Sequence, residues 1–151
     1  MKYSGAYAVV LVLHLVTVAF VIGPIAVATP LSARAARAGE AGALRDHART
    51  TRVHALASLV TVLLGSAMIG LGDVGDQWSM GQAWVSASYA LWLVAVALLL
   101  AVVVPAQKAA GQAIAEGRDG GAYAGRISAA GGVAALAFTA IIVLMVLKPG
   151  V

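Results

Sequence analysis

His14 is the residue in this sequence whose type and position point most directly to chemistry. It lies inside an apolar run of about residues 6–28 that contains no Asp, Glu, Lys or Arg. An ionisable side chain within a membrane helix is energetically costly and marks a functional site by default. A histidine there can bind haem iron or another metal, relay a proton, or hydrogen-bond across a helix bundle. The residue by itself leaves these alternatives open.

Helix geometry predicts which other side chains share the depth of His14. With a rise of about 1.5 Å per residue, His14 lies roughly 13 Å from the nearer end of its apolar run. His14 also lies about 14 residues from the far end of its run, and the same count from the corresponding ends of the next two runs reaches Met68 in the second and about Leu91 in the third, within one turn of Tyr89. Histidine and methionine together form a known haem-ligand set, although methionine in a bundle more often fills gaps in the core. Met68 and Tyr89 are therefore candidate cofactor contacts beside His14, and haem b is the candidate cofactor.

Three arginines make a second candidate site. Arg45, Arg49 and Arg52 recur at the spacing of one helical face. Such a basic face beside a membrane helix suits the phosphates of anionic lipid head groups. The alternative is that these charges only set the orientation of the chain in the membrane, which requires no bound ligand.

Four apolar runs supply the elements that must position these residues, and they span about residues 6–28, 54–71, 84–104 and 129–147. Each run is close to the roughly 20 residues that a helix needs to cross the hydrocarbon core. Only helices or closed barrels satisfy the backbone there, and the alternation of a membrane β-strand is absent. The sequence therefore predicts an all-α fold. Residues 1–151 form one domain, a four-transmembrane-helix bundle of two antiparallel hairpins.

The composition agrees with a membrane protein and argues against a nucleic-acid-binding one. Hydrophobic residues make up 62% of the chain and charged residues 11%, against roughly half and a quarter in soluble domains. The net charge is +4, but the basic residues crowd between the apolar runs, as expected when charge sets topology. The lipid bilayer is therefore the predicted partner, and nucleic acid is not. The chain has no cysteine, which excludes disulfides and thiolate metal ligands.

The distribution of Lys and Arg predicts the orientation. Eight of the 10 basic residues lie in the segments 30–53 and 105–128, so both segments are predicted to be cytoplasmic loops and both termini to lie outside. Ala-rich sequence in these segments favours helix, so we expect the membrane helices to continue into the cytoplasm before they turn back. Tyr3, Trp78 and Trp84 would then mark the outer interface. The predicted location is the cytoplasmic membrane of a bacterium, as a multi-pass protein.

The two cytoplasmic segments resemble each other. Each begins at a proline and re-enters the membrane after an arginine, with 22 residues from Pro30 to Arg52 and 21 from Pro105 to Arg126. An ancestral duplication and a shared composition bias explain this similarity equally well. Small residues at Ser128-x-x-x-Gly132 predict close helix packing, either in a tight bundle or in a homodimer or larger membrane complex.

Two stretches resemble a known family. The first is LVLHL at Leu11–Leu15 followed by Gly23, and the second is WVSASYALW at Trp84–Trp92 followed by Pro105. Together they resemble a family of small bacterial integral membrane proteins named domain of unknown function 2269. The chain is also similar, more loosely, to four-helix haem membrane proteins of the copper-resistance D and protoporphyrinogen oxidase types. This looser resemblance implies a haem contact at His14 only, and the third apolar run lacks the charged residue that oxidase activity would imply.

Three functions remain open from the sequence. The favoured one is a structural or accessory membrane subunit without chemistry of its own, because a single histidine is the main argument for chemistry. The second is a b-type haem or metal-binding redox protein that uses His14. The third is a small-solute carrier or channel. Motifs for phosphate binding, zinc binding or a serine–histidine–acid set are absent from the sequence, so an enzyme is the less favoured class.

Overall fold

The computed structural model describes residues 5–71 and 79–149. Most of these residues form four long helices, each long and apolar enough to span a membrane. We number the helices α1 (Gly5–Ala38), α2 (Ala41–Leu71), α3 (Ala83–Ala115) and α4 (Gly121–Leu147). No strand occurs in the described residues. The predicted all-α fold with four transmembrane helices is therefore confirmed, whereas Tyr3 and Trp78 lie outside the described residues.

The four helices form a closed ring, in which each packs against the next along the chain and α4 packs back on α1. At the end of α1, Gly39 adopts a left-handed conformation (φ 75°), and its N–H donates to the Ala35 carbonyl. Glycine adopts this conformation without steric cost, so α2 returns antiparallel beside α1. Residues 116–120 make the corresponding turn between α3 and α4. We call the end of the bundle with these turns the turn end, and the end with Gly5 and Leu147 the terminal end.

The helices extend well beyond the apolar runs at the turn end. Residues 30–53 and 105–128 are helical except at the two turns. They contain some of the most buried side chains in the molecule, among them Leu44, Gln107 and Ala110, each 0% exposed. Alanine has the highest helix propensity, and its small side chain lets neighbouring helices approach closely. The core therefore continues from the membrane-spanning part into the segments that hydropathy alone marks as connections.

α1 and α3 each contain a single π-helical turn just before a proline. The turns are Val18–Ile22 and Leu99–Val103, and Pro24 and Pro105 each follow after one intervening residue. A proline cannot donate a backbone hydrogen bond, and its ring crowds the carbonyl four residues earlier. A wider turn at this place relieves that conflict, so both helices continue through the proline toward the turn end.

The two π-helical turns show how the hairpins correspond. Pro105 follows Pro24 by 81 residues, and the π-helical turns are related by the same shift. The pairing of Pro105 with Pro30 expected from the sequence is therefore not the one that the backbone shows. The same shift places Ala95 at the position of His14, and both residues are buried. An ancestral duplication, which stays a prediction, would therefore have placed the histidine in only one of the two halves.

α1 and α4 approach closely at Gly131. A Cβ atom added there would lie 1.8 Å from Thr29 Cγ2, so any side chain would force the two helices apart. Gly132, where the sequence predicts close packing, faces open space instead, as does Gly125. The small-residue spacing therefore identifies the right segment of α4, but the contact within this chain uses the neighbouring glycine.

Candidate functional site

His14 belongs to α1, and its side chain lies between α1 and α2, with only 6% of the residue exposed. Its Nδ1–H donates a hydrogen bond to the Thr61 carbonyl of α2 at 2.9 Å. A Cβ atom added at Gly65 would lie 3.1 Å from His14 Cε1. The absence of a side chain at Gly65 therefore lets the imidazole reach the backbone of α2. The ring is turned into the bundle rather than toward lipid.

The hydrogen bond to Thr61 decides the tautomer of His14. A carbonyl oxygen can only accept, so Nδ1 carries the proton, and Nε2 of the neutral ring keeps a lone pair. Among the described residues, no hydrogen bond reaches Nε2. A metal- or haem-binding histidine has this arrangement, in which the second nitrogen donates to a carbonyl. A histidine that only links two helices has it as well.

Tyr89 and Met68 are the other two residues that the sequence predicts near His14. The Tyr89 hydroxyl is hydrogen-bonded to the Ser66 hydroxyl of α2 and lies 3.7 Å from Met80 Sδ. Met68 is half-buried farther along α2 toward the terminal end. Their roles as cofactor contacts stay predictions. Within the described ranges, no three His, Cys, Asp or Glu residues lie close enough together to hold a metal ion, so His14 would need additional ligands to bind a metal.

Four polar residues of α2 are each joined to another helix, Thr61 through its backbone carbonyl and the other three through their hydroxyls. We call Thr51, Ser58, Thr61 and Ser66 the polar face of α2. The Thr61 carbonyl accepts from α1 and the Ser66 hydroxyl bonds to α3, as described above. The Ser58 hydroxyl accepts a hydrogen bond from Trp92 Nε1 of α3 at 2.9 Å. The polar face therefore joins α2 to α3 at three depths and to α1 at one.

Gln107 of α3 joins three helices near the turn end. Its Nε2 amide donates to Ser32 Oγ of α1 at 2.9 Å and to Thr51 Oγ1 of α2 at 3.3 Å, and all three side chains are fully buried. Gln107 Oε1 and Thr61 Oγ1 are buried and have no hydrogen bond in the described part of the chain.

Sequence reasoning missed the cluster of Gln107, Ser32 and Thr51, because isolated polar residues in Ala-rich sequence form no motif. The available signal was the seven-residue spacing of Thr51 and Ser58, which places them on one face of α2.

A groove rich in basic residues lies on the surface between α2 and α3. It consists of two adjoining cavities of about 500 Å³ and 420 Å³ that share Arg52, Leu56 and Lys108. Arg45 and Arg49 line the first of these cavities. We call Arg45, Arg49, Arg52 and Lys108 the cations of the basic groove. Lys108 comes from the opposite helix, so the spacing of the arginines within α2 could not reveal its contribution.

Comparison with known proteins identifies a family. The family model described as "Predicted integral membrane protein (DUF2269)" matches residues 8–149, which is nearly the whole chain. No curated protein and no solved structure gives a significant match. The looser similarity to four-helix haem proteins therefore has no support from these comparisons and stays a prediction.

Proposed function

We propose that this chain, which belongs to the DUF2269 family of predicted integral membrane proteins, is a structural or accessory subunit of a larger membrane assembly. The observation that supports this most is the polar face of α2, whose hydrogen bonds join helices to one another. We further propose a location in the bacterial cytoplasmic membrane with the turn end in the cytoplasm. The reason is that eight of the 10 basic residues lie in the two segments at that end.

Interhelical hydrogen bonds suit a structural role inside a membrane. Apolar side chains do not drive helices together there, because lipid tails are as apolar as leucine. Each interhelical hydrogen bond contributes on the order of 0.6 kcal/mol, and at most about 1.7 kcal/mol, to the stability of the bundle. Because a hydrogen bond is directional, it also restricts how each helix can rotate. Contacts at three depths between α2 and α3 therefore hold these two helices at one rotation and one height, and the hydrogen bond of His14 to Thr61 ties α1 to α2. A bundle held in this way can present a constant surface to a partner.

Two replacements of similar shape test whether His14 is structural. His14→Asn keeps an N–H donor near the position of Nδ1, whereas His14→Gln places its amide near the position of Nε2. If donation to Thr61 is the role, His14→Asn should keep the wild-type Tm in mild detergent. His14→Gln and His14→Ala should each lower Tm by about 2–4 °C, the effect of roughly 1 kcal/mol in a chain of this size. Equal losses in the Asn and Gln variants would contradict the structural role.

Crosslinking in intact membranes, followed by purification of a tagged chain, tests the accessory role. Crosslinking before extraction prevents detergent from dissociating a weak complex. We expect the 15.2 kDa chain to be recovered with one other membrane protein at a fixed stoichiometry. Recovery only as a monomer or a homodimer at native expression level would overturn the proposal.

A b-type haem protein is the second candidate function, and one observation favours it. The Nε2 lone pair of His14 has no hydrogen bond among the described residues, while Nδ1 is held by a carbonyl, which is how proteins orient histidine ligands. His14 Nε2 would bind the haem iron. Haem would supply one-electron chemistry there.

Absorption spectra separate the two candidates. The protein is purified in mild detergent from haem-supplemented cells, and spectra are recorded oxidised and after dithionite reduction. A Soret band that shifts on reduction and is lost in both His14→Asn and His14→Ala supports haem binding through Nε2. A featureless wild-type spectrum rejects the haem protein and leaves His14 as a contact between helices.

A further inference from the structure

We propose that the basic groove between α2 and α3 binds an anionic phospholipid, with the phosphate against its four cations and the acyl chains against its apolar side. The structural or accessory role proposed above does not require this site. The site is also separate from His14, which is among the lining residues of neither cavity.

The charges of the groove are all of one sign. Four cations line its two cavities, and no acidic residue does. All four are exposed, and none forms an ion pair within the part of the chain that the structure describes. The ion pair that does occur there joins Arg118 to Glu116 at the turn between α3 and α4. A concave surface with several uncompensated cations attracts phosphate, which arginine can bind through two parallel hydrogen bonds.

The cations come from both walls of the groove at one level. The hydrogen bond between Gln107 and Thr51 sets α3 and α2 at the same height. Lys108 and Arg52 are the next residues along each helix, and both line both cavities. A phosphate between them would be held from two sides. A row of arginines on one helix, which topology alone would explain, would contact a phosphate from one side only.

The residues that line the groove change from basic to apolar along the helices, from the turn end toward the apolar runs. On α2, Leu56 follows Arg52 by one turn, and on α3, Val104 and Leu100 lie on the same side of Lys108. Leu56 is 55% exposed, so it presents apolar surface beside the charges. A phospholipid has the same order of groups, an anionic phosphate followed by acyl chains. A water-soluble phosphate compound would leave the apolar side uncovered, so the order of residues favours a lipid.

Native mass spectrometry with matched lipids tests the proposal. Detergent-purified protein is titrated with dioleoyl phosphatidylglycerol and with dioleoyl phosphatidylcholine, which have the same acyl chains. We expect phosphatidylglycerol to bind about tenfold or more tightly than phosphatidylcholine. The triple variant Arg49→Gln/Arg52→Gln/Lys108→Gln should lose that preference, since each basic residue near a membrane surface contributes appreciably to binding anionic lipid.

A control variant with the same change in net charge makes the test specific. Arg34→Gln/Arg37→Gln/Arg126→Gln alters three exposed residues that do not line the groove, and it should keep the affinity for phosphatidylglycerol within about twofold. Equal affinities for the two lipids, or equal losses in the two triple variants, would overturn the proposal. Release of the lipid by millimolar glycerol phosphate would overturn it too, because the site would then recognise phosphate alone. These readouts need neither haem nor a partner protein, so they are independent of the proposed function.

Discussion

The half of the bundle near the turns and the half near the termini are packed differently. The turn half comprises residues 23–58 and 95–138, and the terminal half comprises the other described residues. Every described side chain with 0% exposure lies in the turn half, and these residues are Ser32, Leu44, Thr51, Ser58, Ala95, Leu99, Val103, Gln107, Ala110, Ile127 and Ala134. In the terminal half, the most buried side chain is Tyr7 at 2%, and His14 and Thr61 are 6% and 7% exposed.

The solvent that the two halves meet explains part of this difference, because six of the eleven fully buried side chains lie outside the apolar runs, namely Ser32, Leu44, Thr51, Gln107, Ala110 and Ile127. In lipid, an apolar side chain gains little by facing another helix instead of a lipid tail. The terminal half accordingly directs large side chains outward, such as Val12 at 58% and Phe20 at 73% exposure, and its helices meet through directional contacts such as His14 to Thr61. The turn half extends beyond the apolar runs, where burying apolar surface from water stabilises packing. We therefore expect packing to dominate the stability of the turn half and hydrogen bonds to matter more in the terminal half.

The largest expected effect is that of truncating a buried leucine in the turn half. Leu44 is 0% exposed and Leu63, in the terminal half, is 59% exposed. Leu44→Ala should lower the free energy of unfolding by about 2–5 kcal/mol, because it leaves a cavity. Leu63→Ala should change it by less than about 0.5 kcal/mol. Unfolding by SDS titration in mild detergent measures both changes. Equal losses of unfolding free energy would contradict the difference in packing between the two halves.

The next largest effect is expected at the contact between α1 and α4. Gly131→Ala places a methyl group against Thr29 and should cost about 1–3 kcal/mol through overpacking. Gly132→Ala adds its methyl group in open space and should raise stability by up to about 1 kcal/mol, because alanine favours helix over glycine. The two neighbouring substitutions should therefore change the free energy of unfolding in opposite directions in the same SDS titration. A Gly131→Ala variant as stable as Gly132→Ala would show that the helices are farther apart than the structure indicates.

A smaller effect is expected in the terminal half, at the glycine beside the histidine. A methyl group at Gly65 would meet the His14 ring at 3.1 Å, whereas Gly70 has nothing within 4 Å. Gly65→Ala should be less stable than Gly70→Ala by about 1 kcal/mol, the value of one interhelical hydrogen bond. In a His14→Ala background this difference should vanish. Tm measurements on the four variants check both expectations, and a difference that persists without His14 would contradict the contact.

The smallest effect is expected from removing the buried amide of the turn half. The triple variant Gln107→Leu/Ser32→Ala/Thr51→Val removes both hydrogen bonds, both acceptor hydroxyls and Oε1, which has no hydrogen bond among the described residues. Replacing both partners of a buried hydrogen bond by apolar groups of similar shape is close to neutral, so the free energy of unfolding should change by less than about 1 kcal/mol. SDS titration again provides the measurement. A loss above about 2 kcal/mol would mean that polar contacts, rather than packing, hold the turn half together.

The sequence predicted the four helices because hydrophobic runs of about 20 residues have few other structures available in a membrane. It predicted His14 because an ionisable side chain in such a run is conspicuous. It did not predict the buried cluster around Gln107, because Ser, Thr and Gln are common in helices that extend into water. Nor did it indicate Lys108 as part of the arginine site, since the two helices become neighbours only in the folded bundle.

The sequence by itself determined the fold class and singled out the histidine, because both depend on the free energy of moving single residues or single helices between water and lipid. Only the tertiary structure decided that His14 bonds to Thr61, that Gly131 rather than Gly132 meets α1, and where the core is densest. Each of these depends on the rotation of one helix relative to another. Rotation is set by many small contacts acting together, and no single segment of the chain encodes it.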